Sequence, residues 1–219
     1  MTKKRTIHGE VLLVIGTFLA AMGVVLMLYS GAGISAVSSV GYSLSVVFPI
    51  LTQGTWTYLF QGLLVVILFI VGKRINLSYL FSFVVGFVFG LAIDLHRMWV
   101  YALPMNIPLR ILYFVSWYLS IAFAVALLNR CLLPIIPTDL FSREFSKLMG
   151  VQFTKVKITL DVVCLCFSAA LMLVFLKRIE GIGIGTVISA LTLGRTISLI
   201  GNVMDRHVQV RLLFRRFAK

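Results

Sequence analysis

Six uncharged or nearly uncharged runs, at approximately 11–30, 56–72, 77–96, 111–129, 158–176 and 182–203, decide what this chain can fold into. A bilayer core of roughly 30 Å takes about 20 helical residues to cross, and each run is close to that length. Composition agrees. Of the 219 residues 60% are hydrophobic and 12% charged, and the mean hydropathy is +1.06, too apolar for a soluble domain. Trp56, Tyr58, Trp99, Tyr101 and Tyr113 cluster at the run ends, where amphipathic rings anchor a helix at the interface. The first run is long, lacks an A-x-A-like cleavage site and leads into more apolar sequence, so it reads as a span and not as a signal peptide.

The chain also reads as if written twice. Gly33 to Ile75 carries a serine-rich stretch, an apolar run and Lys73-Arg74-Ile75; Pro137 to Ile179 carries a charged stretch, an apolar run and Lys177-Arg178-Ile179. The offset is 104 positions, at which Ser35, Ser38, Ser39 and Tyr42 fall on Asp139, Ser142, Arg143 and Ser146. Gly86 and Gly90 fall on Ala190 and Gly194.

Topology follows from charge. If segments 34–50 and 138–150 do not cross, Lys3, Lys4, Arg5, Lys73, Arg74, Arg130, Arg143, Lys147, Lys155, Lys157, Arg206, Arg211, Arg215, Arg216 and Lys219 share one side. Only Arg97, Arg110, Lys177 and Arg178 face the other, and Arg195 lies within a span. The positive-inside bias then puts both termini in the cytoplasm, with six spans. Segment 138–150 would in any case cross at high cost, because it carries Asp139, Arg143, Glu144 and Lys147. Its polar positions recur at helical spacing, as do Ser35, Ser38/Ser39 and Tyr42 in the first copy. Helix breakers precede both segments, Gly31-Ala32-Gly33 and Pro134 to Pro137. Both segments therefore read as short re-entrant or interfacial helices. Three spans per half is an odd number, so the duplication is inverted, a design shared by many secondary transporters.

The expected fold is thus an all-α polytopic membrane protein built as an inverted 3+3 repeat. Residues 1–104 form the first repeat, 105–205 the second and 206–219 a cytoplasmic basic tail suited to the anionic inner leaflet. The net charge of +13 does not indicate nucleic acid, since there is no soluble domain and no aromatic–basic platform. Cys131, Cys164 and Cys166 have neither metal spacing nor an evident disulfide pairing, and read as apolar residues. His8, His96 and His207 lie outside spans or at their edges. No hydrolase triad, metal cluster or phosphate loop is present, and no cofactor is expected.

Ionisable groups inside a span cost roughly 2.5–3.5 kcal/mol at the centre, so each calls for a reason. Arg195 lies about 12 Å from the inner end of its span at 1.5 Å per residue. Asp139 and Asp161 are its expected partners, either as a structural ion pair or as a substrate and proton site. Asp161 also has Lys157 one turn earlier. Asp94, followed by His96 and Arg97, reads as a solvated interfacial carboxylate or as a proton relay. Gly86 and Gly90, spaced G-x-x-x-G, favour close helix contact.

These residues resemble a family. Gly181-Ile182-Gly183-Ile184-Gly185-Thr186-Val187-Ile188-Ser189-Ala190-Leu191 with Gly194 is similar to the G-x-G-T-V-x-x-A-x-x-x-G segment of YczE/YyaS/YitT-type bacterial membrane proteins. Phe89-Gly90-Leu91-Ala92-Ile93-Asp94 resembles the G-x-x-I-D closing the matching span, and Pro137-Thr138-Asp139 resembles the P-x-D heading the short segment. Asp161 resembles an acidic residue of the next span. Two departures stand out: Gly33-Ile34-Ser35 replaces a P-x-D-like element, and Arg195 replaces a proline. The resemblance implies a protein of the bacterial cytoplasmic membrane and says little about substrate.

The function expected is secondary transport of a small polar or charged solute by alternating access, with proton coupling as an option. Arg195, Asp139, Asp161, Ser35, Ser39, Thr138 and Ser198 would bind the solute, and Asp94 or Asp161 would carry the proton. Partners are then the solute and membrane lipids, with a homodimer left open beside a monomer. The rival is a non-transporting scaffold or assembly partner whose intramembrane charges are structural.

Overall fold

The computed structural model describes residues 5–73, 77–181 and 183–212, without the side chains at 5, 77, 153, 154, 184 and 187–191. Lys3, Lys4, Arg74, Ile75, Ile182 and the basic tail from Leu213 onward lie outside the described residues, as do the side chains of Arg5, Ser189 and Ala190 and the surroundings of Gly194. In chain order the elements are β1 (Arg5–His8), α1 (Gly9–Tyr29), α2 (Ala36–Val47), α3 (Gln53–Gly72), α4 (Leu77–Val100), α5 (Ile107–Leu128), α6 (Pro137–Met149), α7 (Phe153–Leu176), α8 (Ile184–His207) and β2 (Val208–Arg211). Five of the helices, α1, α3, α4, α5 and α7, are long and apolar enough to cross a membrane. α8, 24 residues long, occupies the place of the last apolar run.

Local chemistry sets the boundaries. α5 starts earlier than its apolar run because the Asn106 side chain accepts the Leu109 N–H and Pro108 sits in the first turn, where no N–H is needed. Thr52 caps α3 by accepting from Thr55 N–H. α3 and α7 both end at a lysine in the left-handed region, Lys73 with φ 48° and Lys177 with φ 54°. Those two lysines are themselves 104 positions apart, so the same unusual ending recurs in both copies.

α1 and α5 pack antiparallel at the centre. Gly9, Gly16 and Gly23 recur every seven residues along α1 and face Cys131, Leu128 and Ile121. A Cβ at Gly16 would lie 2.8 Å from Leu128 Cγ, so the backbones approach as only glycine allows. Leu12, Leu13, Val24, Met27, Trp117 and Leu128 fill the core around this contact. α4 packs on α1, and α8 on α5. The short helices α2 and α6 each wedge between α3 and α7. The pattern is matched except at two contacts: α3 lies along α4 and α4 touches α6, whereas neither α7 on α8 nor α8 on α2 shows comparable packing among the described residues. Accordingly Ile158, Val162 and Leu173 of α7 are exposed, while α3 uses Gly54, Tyr58 and Phe69 at the matching positions to meet α4.

The two ends of the described chain meet. β1 and β2 pair in parallel, from Arg5 opposite Val208 to His8 opposite Arg211, and Ile7, Val210 and Leu212 fold back on the core. The expected tail thus begins as the last turn of α8 followed by a strand. Val208-Gln209-Val210-Arg211 alternates with period two, which suits a half-buried strand. Nearby, Arg130 after α5 grips Asp205 of α8 through two bonds of 2.7 Å. Burial pushes the Cys131 thiol up, in keeping with an unreactive core residue.

Candidate functional site

α6 begins deep in the bundle. Gly86, near the middle of α4, faces both Pro137 at the N-terminus of α6 and the side chain of Gln61, near the middle of α3. The Ser82 hydroxyl of α4 donates to the Ile135 carbonyl just ahead of this turn. At an offset of 104, Thr186 of α8 donates to the Ile34 carbonyl at 2.9 Å, just ahead of α2. Each short helix therefore hangs from a hydroxyl on the last long helix of the opposite half.

Between α2, α3, α6 and α7 lies a cavity of about 500 Å³, within the range that holds a ligand. Four pairs of its lining residues are related by the same offset of 104: Trp56 with Leu160, Leu59 with Val163, Phe60 with Cys164, and Leu63 with Phe167. The cavity thus sits where α3 and α7 present positions related by that offset. Val40, Leu44, Leu64, Ile67 and Phe141 complete a wall of carbon and one thiol. The one polar nitrogen of that lining, the Trp56 indole N–H, donates to the Phe48 carbonyl at 3.1 Å. A second hollow of about 320 Å³ shares Phe141, Leu160 and Val163 with the first and has Thr159 and Lys155 in its lining.

The polar candidates fall into separate groups. Asp139 of α6 and Asp161 of α7 do come together, but around Lys157, at 3.5 and 3.7 Å from its Nζ. α7 starts earlier than its apolar run, which brings Lys157 into the helix one turn before Asp161. Ser39 bonds Ser168 of α7 at 2.8 Å, both fully buried, and Ser35 donates to Ser38 at 2.8 Å. Thr138 is half-buried beside Asp139. Arg195 and Ser198 stand apart from all of these, exposed on α8. The two carboxylates expected opposite Arg195 take Lys157 instead, and Arg195 makes no ion pair among the described residues.

Asp94 has a structural duty. Its carboxylate accepts the Gly54 N–H at 2.9 Å and the Thr52 hydroxyl at 2.5 Å. It thereby satisfies the positive N-terminal end of α3. His96 was expected at the edge of a span, but α4 runs on to Val100 and buries it. Its ring lies 4.4 Å from Phe18, and its Nδ1 accepts the Trp99 indole N–H at 3.0 Å. Sequence reasoning also passed over Gln53 and Gln61, fully buried on α3, where Gln53 Nε2 and Gln61 Oε1 find no hydrogen-bond partner among the described residues. The signal for Gln61 was available: an amide in the middle of an otherwise apolar run. Among the described residues no three His, Cys, Asp or Glu side chains converge to hold a metal ion.

Long apolar helices, buried amide and hydroxyl groups and a carbon-lined cavity define a polytopic α-helical membrane protein. Residues 7–202 match the model of a family of unknown function, DUF6198, and the chain belongs to that family. No curated protein and no solved structure matches it.

Proposed function

We propose that this protein is a small secondary transporter of the bacterial cytoplasmic membrane, whose two inverted halves rock about the cavity between α3 and α7. One observation carries the reading: the cavity is lined by the same positions of both copies, Trp56 to Leu63 and Leu160 to Phe167. A site on the axis between two inverted halves is the one place both can expose in turn to opposite sides. The parallel β1–β2 pair supports an even number of crossings, because the chain enters α1 and leaves α8 at the same end of the bundle. With α8 as a sixth span, the charge bias puts both termini in the cytoplasm. Pro137 against mid-helix Gly86 favours re-entrant over interfacial placement for α6. The kinship with YczE/YyaS/YitT-type proteins belongs to the same proposal and rests on their shared motifs.

Of the polar and charged groups named from the sequence, Asp139 and Asp161 meet at Lys157, and Asp161, next in sequence to the cavity residue Leu160, is the carboxylate assigned to a coupled proton. A scaffold remains the rival, favoured by the partners that carboxylates hold: Asp94 on the end of α3, Asp205 on Arg130, Asp139 and Asp161 on Lys157.

Cysteine accessibility separates the two. In a cysteine-free background, Leu63→Cys and Phe167→Cys should each react with a membrane-impermeant maleimide added from either face of the membrane. Labelling from one face alone, or from neither, would support the scaffold.

A further inference from the structure

Resting on that reading, we infer that the cavity takes the acyl chain of a single-chain anionic amphiphile, with its headgroup held by Lys155. The cavity wall offers no hydrogen bond to a polar solute, so a sugar or an amino acid entering it would lose its water without compensation. An acyl chain loses nothing there. The lining follows α3 from Trp56 to Ile67, a rise of about 16 Å at 1.5 Å per residue, a track for one extended chain. Phe141, Leu160 and Val163 also line the adjoining second hollow, whose remaining lining includes Thr159 and Lys155.

The charge there is fitted to an anion. Arg143 and Lys147 are both held by Glu144, at 3.3 and 3.0 Å, and Lys157 is held by Asp139 and Asp161. Lys155, exposed in the lining of the second hollow, has no ion pair among the described residues. A carboxylate or phosphate on the end of the chain supplies the missing partner. Chain and head are thus recognised by two adjoining hollows, and the polar solute expected from the sequence becomes the charged end of an apolar molecule.

Brominated chains quench tryptophan on contact, which makes Trp56 a built-in reporter. Purified full-length protein in a maltoside detergent would be titrated with 9,10-dibromostearate and with the neutral dibromostearyl alcohol. Saturable quenching by both probes is expected, largely lost in Trp56→Phe. Lys155→Gln should raise the half-saturating concentration of the stearate about fivefold, the size of an exposed ion pair, and leave the alcohol unchanged. Val163→Phe, which fills the cavity from the other half, should weaken both. Quenching that survives Trp56→Phe, or a Lys155→Gln effect absent or equal for the two probes, overturns the proposal. Lys155-dependent binding in a protein that labels from one face sustains this inference and sinks the transporter. Two-faced labelling without Trp56 quenching does the reverse.

Discussion

At Gly16 the room for a side chain is already filled by Leu128, and this is a different constraint from the one at Gly150. Gly150 ends α6 with φ +65° and has nothing within 4 Å of a Cβ position. There the demand is on the backbone alone. Gly16→Leu should therefore cost about 1–3 kcal/mol or more by overpacking, and Gly150→Ala about 1 kcal/mol. Thermal unfolding of the detergent-solubilised variants should rank them in that order. Equal midpoints would mean that α1 and α5 do not meet through this glycine face. The role of Asp94 belongs to the same scale and was not legible in the sequence. Its two readings, solvated carboxylate or proton relay, both left out the end of α3, because Gly54 lies 40 residues away. Only the antiparallel approach of α3 and α4 brings that N–H to it.

Elements are where the chain was most readable and where pairing was least so. Each apolar run became a helix because its length and composition leave few alternatives. Segments 34–50 and 138–150 became the short helices α2 and α6 through the breakers ahead of them. Which charges would face one another depended on helix rotation and start sites, to which hydropathy is blind. Hence Lys157, on the first turn of α7 as the helix forms, answers Asp139 and Asp161 where Arg195 was expected to. This joint between α6 and α7 makes a direct prediction. Lys157→Gln should destabilise the protein more than Arg130→Gln. The first leaves two half-buried carboxylates facing each other, and the second leaves one exposed Asp205. Adding Asp139→Asn and Asp161→Asn to Lys157→Gln should recover most of the loss if the cluster is structural. If Lys157→Gln unfolds at the wild-type midpoint, the joint contributes nothing to the fold and its charges are free for binding.

For the whole molecule, the inverted repeat read from letters at an offset of 104 belongs to the proposal, and the packing that bears on it is matched only in part. α1 and α5 pair at the centre, α4 and α8 flank them, and α2 and α6 exchange places between α3 and α7. The ends of the bundle are fastened differently. At one, Tyr29 reaches the Leu103 carbonyl at 2.5 Å and its ring packs on Tyr101. At the other, Arg130 holds Asp205. The lack of α7–α8 packing among the described residues is the largest break in that match, and no sequence signal announced it, since the apolar faces that would close look the same as faces that meet lipid. Under the proposed alternating mechanism, a state with α7 on α8 and α3 off α4 would be the counterpart of the one described.

Distances between spin labels test that claim most directly. In a cysteine-free background, one pair would join Ile50 in the α2–α3 loop to Lys177 at the end of α7, and a second would join Lys73 at the end of α3 to Val151 in the α6–α7 loop. Measured in lipid nanodiscs with and without dibromostearate, alternating access predicts two distance populations per pair, with one pair lengthening as the other shortens. A single unchanged distance for both pairs would contradict it and leave a rigid membrane scaffold.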